Sequence, residues 1–187
     1  MTYQATLQSW HSFYSTTAQA AAGLVGLLFV GLALHLRVVV SRPDVQGLAR
    51  VTLSGFAATL VLALFMLIPG QSAISTGAAL IALGTATCLL TVPSLISGVR
   101  STQRTISIWH LLLRFGLIEL GFFGVIASGG LLAAGDFRSG LGQLIPVTIL
   151  LLVISLRNSW DVLVTVGAAT ITAPTGGRAA RPSRGRL

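Results

Sequence analysis

The chain has 187 residues, of which 53% are hydrophobic and only 9% are charged. Its mean hydropathy is +0.87, whereas a soluble domain carries about 25% charged residues. These values exclude a water-soluble globular fold, because too few polar side chains are available to cover one. The formal net charge of +8 does not indicate nucleic-acid binding, since the basic residues, all arginines, separate long apolar runs instead of lining one polar face.

Five apolar runs are each long enough to cross a bilayer as a helix. A hydrocarbon core about 30 Å thick needs roughly 20 apolar residues in helical conformation. The predicted fold is therefore all-α, a polytopic membrane protein whose single domain, residues 13–169, is a bundle of five transmembrane helices. We predict spans over residues 13–36, 51–68, 74–96, 108–134 and 144–166.

Short segments flank the predicted spans. Residues 1–12 carry Tyr3, Leu7 and Trp10 at helical spacing, which favours a short interfacial helix lying on the outer leaflet. Residues 170–187 form a Gly-, Arg- and Pro-rich tail. With few apolar side chains to bury, we expect this tail to be disordered.

The arginines between the spans predict the orientation of the chain. If the connecting segments alternate sides, nine arginines lie on one side of the membrane and only Arg138 lies on the other. Segments rich in basic residues stay in the cytoplasm, so we expect an outside N-terminus and a cytoplasmic C-terminus. The tail arginines either act as the last topology signal and bind anionic lipid head groups, which we expect, or bind an acidic cytoplasmic partner or nucleic acid. They are Arg178, Arg181, Arg184 and Arg186.

Small side chains mark candidate contact faces between the spans, because lipid provides little hydrophobic drive for helices to associate. The outer half of the first span also carries Gln19, which would be unfavourable against lipid. We therefore predict that the first span is either a buried central helix or a subunit-contacting one. Small residues recur every four positions in three of the spans: Ala18, Ala22 and Gly26 in the first, Ala78, Ala82 and Ala86 in the third, and Gly124 and Ser128 in the fourth.

Ionisable side chains inside the fourth and fifth spans are the candidate functional residues, since such groups are costly in a membrane. At about 1.5 Å per residue, Arg114 lies roughly 9 Å and Glu119 roughly 16 Å from the cytoplasmic end of the fourth span. Arg157 lies roughly 20 Å from the outer end of the fifth span, so we expect it within reach of Glu119. The predicted intramembrane polar network comprises His110, Arg114, Glu119, Arg157, Asn158 and Asp161.

Two interpretations of this network stay open from the sequence. The charges either form buried ion pairs that hold the fourth and fifth helices together, or mark a polar path from the cytoplasm to mid-membrane. In the second interpretation Glu119 is the deepest ionisable group and could exchange protons. No metal-ligand cluster or catalytic motif accompanies the network, and Cys88 is the single cysteine. We therefore predict no metal, no cofactor and no enzymatic activity.

Two short stretches of the chain resemble known proteins. The first is Trp10-His11-Ser12-Phe13-Tyr14 with the run AAAGLVGLLFVGLAL at residues 20–34, and the second is Arg157-Asn158-Ser159-Trp160-Asp161. Both are similar to small multi-pass bacterial integral membrane proteins without an assigned activity. The resemblance implies a bacterial plasma (inner) membrane and a five-span type of bundle, and it implies no functional residue.

The size of the chain directs the functional hypothesis. Five spans, little extramembrane mass and no inverted repeat leave little room for a self-contained alternating-access transporter, so we expect a homo-oligomer. The leading hypothesis is a small oligomeric channel or ion-translocating protein, with the charged network in the cytoplasmic half of spans four and five. The alternative is a non-transporting membrane scaffold or accessory subunit that binds a partner protein.

Overall fold

The computed structural model describes residues 2–41, 43–100 and 108–172. Within these ranges the regular structure is helical, with no strand. The helices are α1 (Tyr3–Ser9), α2 (His11–Leu34), α3 (Leu36–Ser41), α4 (Pro43–Met66), α5 (Ala73–Arg100), α6 (Ile108–Ala133) and α7 (Phe137–Thr172). Five of them, α2, α4, α5, α6 and α7, are long and apolar enough to cross a membrane. This confirms the all-α fold with five transmembrane helices.

Turn residues set the ends of two helices. α4 ends at Met66, before Pro69 and Gly70, and α6 ends at Ala133, before Gly135. Gly70 and Gly135 have φ angles of 78° and 91°, a left-handed conformation that costs glycine little. The chain between these helices and the next is short, so α4 and α5, like α6 and α7, must pack antiparallel.

The last helix differs most from its prediction. α7 begins at Phe137, not near residue 144, and continues to Thr172, within the predicted tail. The backbone N–H of Ser139 donates to Asp136 Oδ1 at 3.2 Å, so Asp136 caps the helix at its N-terminus. A cap is a local signal that precedes the apolar run, and for this reason hydropathy alone places the start of the helix too late.

Helices α4, α5, α6 and α7 form an antiparallel four-helix bundle, in which each helix packs against the next and α7 closes the ring against α4. α2 packs outside the ring, mainly against α4 and less extensively against α7. The most buried span is Ala49–Met66 of α4. Large apolar side chains fill the interior of the bundle, among them Phe56, Leu62, Leu80, Ile118, Phe122, Leu132, Leu144 and Leu151.

α2 is not the central helix that its small residues predicted, since it is the least buried of the five spans. Ala18 is buried, but Ala22 and Gly26 are exposed on the outside of the chain. A four-residue step of small side chains permits close approach along a helix face, but it does not choose which face turns inward. The central position belongs to α4. Contact of α2 with another subunit stays a prediction.

α5 and α6 approach each other closely through glycines. A Cβ atom on Gly77 would lie 2.6 Å from the carbonyl oxygen of Gly129, and one on Gly84 would lie 3.1 Å from that of Phe122. These glycines, and not the alanines predicted for the third span, form its contact face. The alanines face outward and are exposed: Ala78, Ala82 and Ala86.

Gly124 and Ser128 lie on the face of α6 that packs against α7. A Cβ atom on Gly124 would lie 2.6 Å from Val147 Cγ2, and one on Gly140 would lie 3.0 Å from the carbonyl oxygen of Ser128. The Ser128 hydroxyl donates to the Gly124 carbonyl at 2.9 Å. Its polar group is therefore satisfied within its own helix, while its small size lets α7 approach.

The short helix α1 packs on one end of the bundle. Leu7 is buried, and the Tyr3 hydroxyl donates to Thr76 Oγ1 at 2.8 Å. The Tyr3 ring also meets Phe137 edge to face, with 6.3 Å between ring centroids. α1 therefore ties together the first turns of α5 and α7, and its apolar side faces protein; its position at the membrane surface stays a prediction. We call this end of the bundle the α1 end; the sequence predicts that the opposite end faces the cytoplasm.

Candidate functional site

Glu119 lies on α6 near the middle of the bundle. It is about 16 Å along the helix axis from Ile108 and about 21 Å from Ala133. The half-buried carboxyl is hydrogen-bonded to the hydroxyl of Thr91 and lies beside the thiol of Cys88. Both partners lie on α5, so Glu119 belongs to the α5–α6 contact and not to the contact between the fourth and fifth spans.

Thr91 is buried and has further acceptors close to its hydroxyl oxygen. The carbonyl oxygens of Thr87 and Cys88 lie 2.9 Å and 3.1 Å away from it. Threonine in a helix commonly donates to the carbonyl one turn earlier, and Thr87 does so to Leu83 at 2.9 Å. Helical geometry therefore brings a hydroxyl, a thiol and two backbone carbonyls to the level of one carboxyl group.

Arg157 does not reach Glu119, contrary to the prediction. The contact between Gly121 and Leu151 sets the antiparallel register of α6 and α7, and in that register Arg157 lies about 6 Å farther from the α1 end than Glu119. Its side chain is exposed, and among the described residues no ion pair joins it to Glu119. The prediction failed because depth along the membrane does not record which way a helix face points: Arg157 faces outward on α7, whereas Glu119 faces α5.

Arg157 and Trp160 share the outward face of α7 near the end opposite to α1. Arg157 is exposed and Trp160 is 70% exposed. The distance along the helix from Phe137 to Trp160 is about 35 Å, slightly more than the hydrocarbon thickness of about 30 Å. Tryptophan and arginine at this depth are typical of the boundary between lipid tails and head groups.

Asn158 and Ser155 are buried on the face of α7 that packs against α4. Asn158 is 2% exposed and Ser155 is 0% exposed, and Ser155 Oγ lies where a side chain on Gly55 of α4 would otherwise be. Neither Asn158 Nδ2 nor Ser155 Oγ has a hydrogen-bond partner among the described residues. A buried polar group without a hydrogen-bond partner lowers the free energy of unfolding by about 1–3 kcal/mol. Close packing alone therefore does not explain why Asn158 and Ser155 are polar.

The predicted network therefore separates into different surroundings. Glu119 faces α5, Arg157 faces outward and Asn158 faces α4, while Asp161 is half-buried on the following turn of α7. The side chains of the other predicted site residues lie outside the described residues. They are His110 and Arg114 on α6 and, in the tail, Arg178, Arg181, Arg184 and Arg186.

Several residues of these surroundings escaped sequence reasoning. Thr91, Cys88, Ser155 and Gly55 carry no charge, and single uncharged small residues are frequent in membrane helices. One usable signal is present, because Thr87 and Thr91 are one turn apart and so place their hydroxyls on one face of α5. That face can be recognised as polar, but its neighbour cannot be identified without the tertiary structure.

The architecture defines the class of this protein: a multi-pass integral membrane protein built on a four-helix bundle with a fifth, peripheral span. Comparison of the chain with protein-family models, with curated proteins and with solved structures found no match. Among the described residues, no three histidine, cysteine, aspartate or glutamate side chains are grouped as metal ligands. Glu119 and its surroundings are the candidate functional site.

Proposed function

We propose that this protein moves protons or small cations across the membrane as a homo-oligomer, with Glu119 as the group that binds them. The observation that supports this is a carboxyl at mid-span level that contacts Thr91 and Cys88, with no basic side chain among the described residues against it. A carboxylate in the hydrocarbon core is costly unless a positive charge accompanies it. A translocated proton or cation would supply that charge.

The conduction path fits better between subunits than through one chain. The centre of the bundle is filled by buried side chains such as Leu62, Phe122 and Leu151, a packing that does not favour a file of ions along the bundle axis. Glu119, by contrast, is half-buried and so reaches the surface of the chain beside α5. A neighbouring subunit over this contact would enclose the carboxyl and complete a path.

Ion flux in proteoliposomes tests the proposal. Purified wild-type protein is compared with Glu119→Gln, which keeps the shape and removes the charge, and with Asp136→Asn, which changes a carboxylate in the exposed turn before α7. Gradients of protons, sodium and potassium are applied in turn. We expect Glu119→Gln to reduce flux to the rate of protein-free vesicles and Asp136→Asn to leave it at the wild-type rate.

Two results would contradict the proposal. Wild-type flux that persists in correctly folded Glu119→Gln removes the carboxyl from the path. Wild-type protein that is monodisperse by size exclusion and transports none of the three ions rejects ion translocation by this protein.

The exposed face of α2 favours a second candidate, a membrane scaffold or accessory subunit. Gly23 and Gly26 have open space beside them, and Gln19 is exposed on the same helix. Small and polar residues on an outward face favour helix association in lipid. Absence of flux, together with a copurifying membrane protein that is lost in Gly23→Leu or on deletion of residues 178–187, would favour this candidate over ion translocation.

We also propose a bacterial plasma membrane as the location, with the N-terminus outside, which the distribution of arginines supports. Reporter domains fused to each terminus test the orientation, because only a reporter on the cytoplasmic side is protected from external protease in intact cells. Protection of an N-terminal reporter would reverse the proposed orientation.

A further inference from the structure

We infer that the outward face of α7 binds an anionic phospholipid near the end opposite to α1. The lipid phosphate would contact the guanidinium of Arg157, and the acyl chains would lie along the apolar side chains nearer the middle of the span. Arginine suits this role because its planar guanidinium matches the oxygens of a phosphate group. The inference goes beyond ion translocation, since it concerns a different face of the chain from Glu119.

The guanidinium of Arg157 is available to a ligand outside the chain. Arg157 is exposed, and no hydrogen bond or ion pair joins it to another described residue. Asp161 lies one helical turn farther on, but it is half-buried and its Oδ2 atom is buried. That oxygen therefore faces the chain and not the surrounding lipid. A charge at the edge of hydrocarbon is costly unless it is paired, and a lipid phosphate would supply the negative charge.

The depth of Arg157 matches the position of a lipid head group. Phe137 begins α7, and the distance along the helix axis from Phe137 to Arg157 is about 30 Å. The hydrocarbon core has the same thickness, about 30 Å. Arg157 therefore lies at one edge of the core when Phe137 lies at the other, and its long side chain can extend toward the phosphates. Trp160, which is 70% exposed, can donate its indole N–H to a lipid oxygen at the same edge.

The apolar side chains beside Arg157 favour lipid over another protein helix. Ile149, Val153 and Leu156 are 47%, 56% and 49% exposed, and Ile149, Val153 and Arg157 follow one another at four-residue spacing along one face of α7. Contacts between membrane helices are enriched in small residues, whereas these side chains are large. The face thus carries polar donors at its end and an apolar strip toward the middle, in the order in which a phospholipid presents its head group and acyl chains.

Tryptophan fluorescence tests the inference, because Trp160 lies beside the proposed site. The chain has three tryptophans, so Trp10→Phe with Trp109→Phe leaves Trp160 as the only emitter. This protein is placed in vesicles in which either phosphatidylglycerol or phosphatidylcholine carries bromine near the head-group end of its acyl chains. Brominated lipid quenches a tryptophan that it touches. We expect about fivefold preferential occupancy by the anionic lipid, the equivalent of about 1 kcal/mol for one arginine near an anionic surface.

Matched variants assign the preference to one arginine. Arg157→Gln removes the charge and should make quenching by the two lipids equal, whereas Arg157→Lys keeps the charge and should retain most of the preference. Arg138→Gln removes the same charge from an exposed residue in the first turn of α7, at the α1 end, and should leave the preference unchanged. Circular dichroism and size exclusion establish that each variant is folded. The comparison of the two lipids on the parent protein stands even if Arg157→Gln does not fold.

Four outcomes would overturn the inference. Equal quenching by the two lipids in the parent protein would exclude a preference for anionic lipid. A preference that persists in Arg157→Gln, or that Arg138→Gln reduces equally, would assign it to the general charge of the chain. Loss of the preference on addition of inorganic phosphate would assign the site to free phosphate. Absence of quenching by either lipid would mean that protein, and not lipid, covers Trp160.

Discussion

A single methyl group at the α5–α6 contact tests how strongly close packing stabilises this fold. Gly129→Ala would place a Cβ atom 2.7 Å from the Gly77 carbonyl oxygen and 3.1 Å from the Ile81 backbone nitrogen, and backbone atoms cannot rotate away. Gly130→Ala, at the next residue of α6, would place its Cβ where no atom lies within 4 Å. Alanine favours a helix over glycine by about 0.5–1 kcal/mol in both variants, whereas overpacking costs about 1–3 kcal/mol in the first alone.

The helix preference cancels between these neighbouring variants, so we expect Gly129→Ala to be less stable than Gly130→Ala by about 1–3 kcal/mol. The free energy of unfolding is measured by denaturing-detergent titration in mixed micelles, with circular dichroism as the signal. Gly130→Ala should equal or slightly exceed the wild type. Equal unfolding free energies for the two alanine variants would refute the close contact of α5 and α6.

Three further substitutions test other contacts. Tyr3→Phe should lower the free energy of unfolding by about 1 kcal/mol through loss of its hydrogen bond. Because burial raises the pKa of Tyr3 above 10.0, the stability advantage of the wild type should be full below pH 10 and decline as pH rises through that raised pKa. Paired thermal melts of the two proteins would detect this decline. Asn158→Val, which removes the amide with only a small change in volume, should unfold at an equal or higher denaturant concentration, with a free energy of unfolding up to about 1–3 kcal/mol above that of the wild type; a clear loss of stability would mean that the amide has a partner. Gly55→Ala should destabilise the bundle by about 1–3 kcal/mol, because its Cβ would collide with Ser155 Oγ and lie 2.8 Å from a carbon of Ile118. Gly47→Ala, with no atom within 4 Å of its Cβ, should not destabilise it. Similar melting temperatures for the two variants would contradict the contact between α4 and α7 at Gly55.

Much of the architecture could be predicted because it depends on local composition. A helix that crosses about 30 Å of hydrocarbon needs roughly 20 apolar residues in sequence, and the turns at Gly70 and Gly135 interrupt those runs. The number and order of the spans follow from these two features. The ends of the helices were predicted less accurately than their number. For α7 the reason is that the residue capping its start, Asp136, lies outside the apolar run.

The candidate site could be predicted only in part. A carboxyl within an apolar run stands out by its cost, and Glu119 was identified for this reason. Its partner was predicted to be Arg157, since opposite charges at similar depth suggest a pair, but the partners are Thr91 and Cys88. Neither residue differs in sequence from the other small side chains of the spans.

What the sequence determined by itself is the class of protein, the five spans and the presence of a costly carboxyl at mid-span. These depend on which residues follow one another along the chain. The tertiary structure alone decided that α4 is central, that glycines and not alanines join α5 to α6, and that Glu119 faces α5. These depend on the rotation of each helix about its axis and on its register with its neighbours, which packing between distant segments sets and which hydropathy does not record.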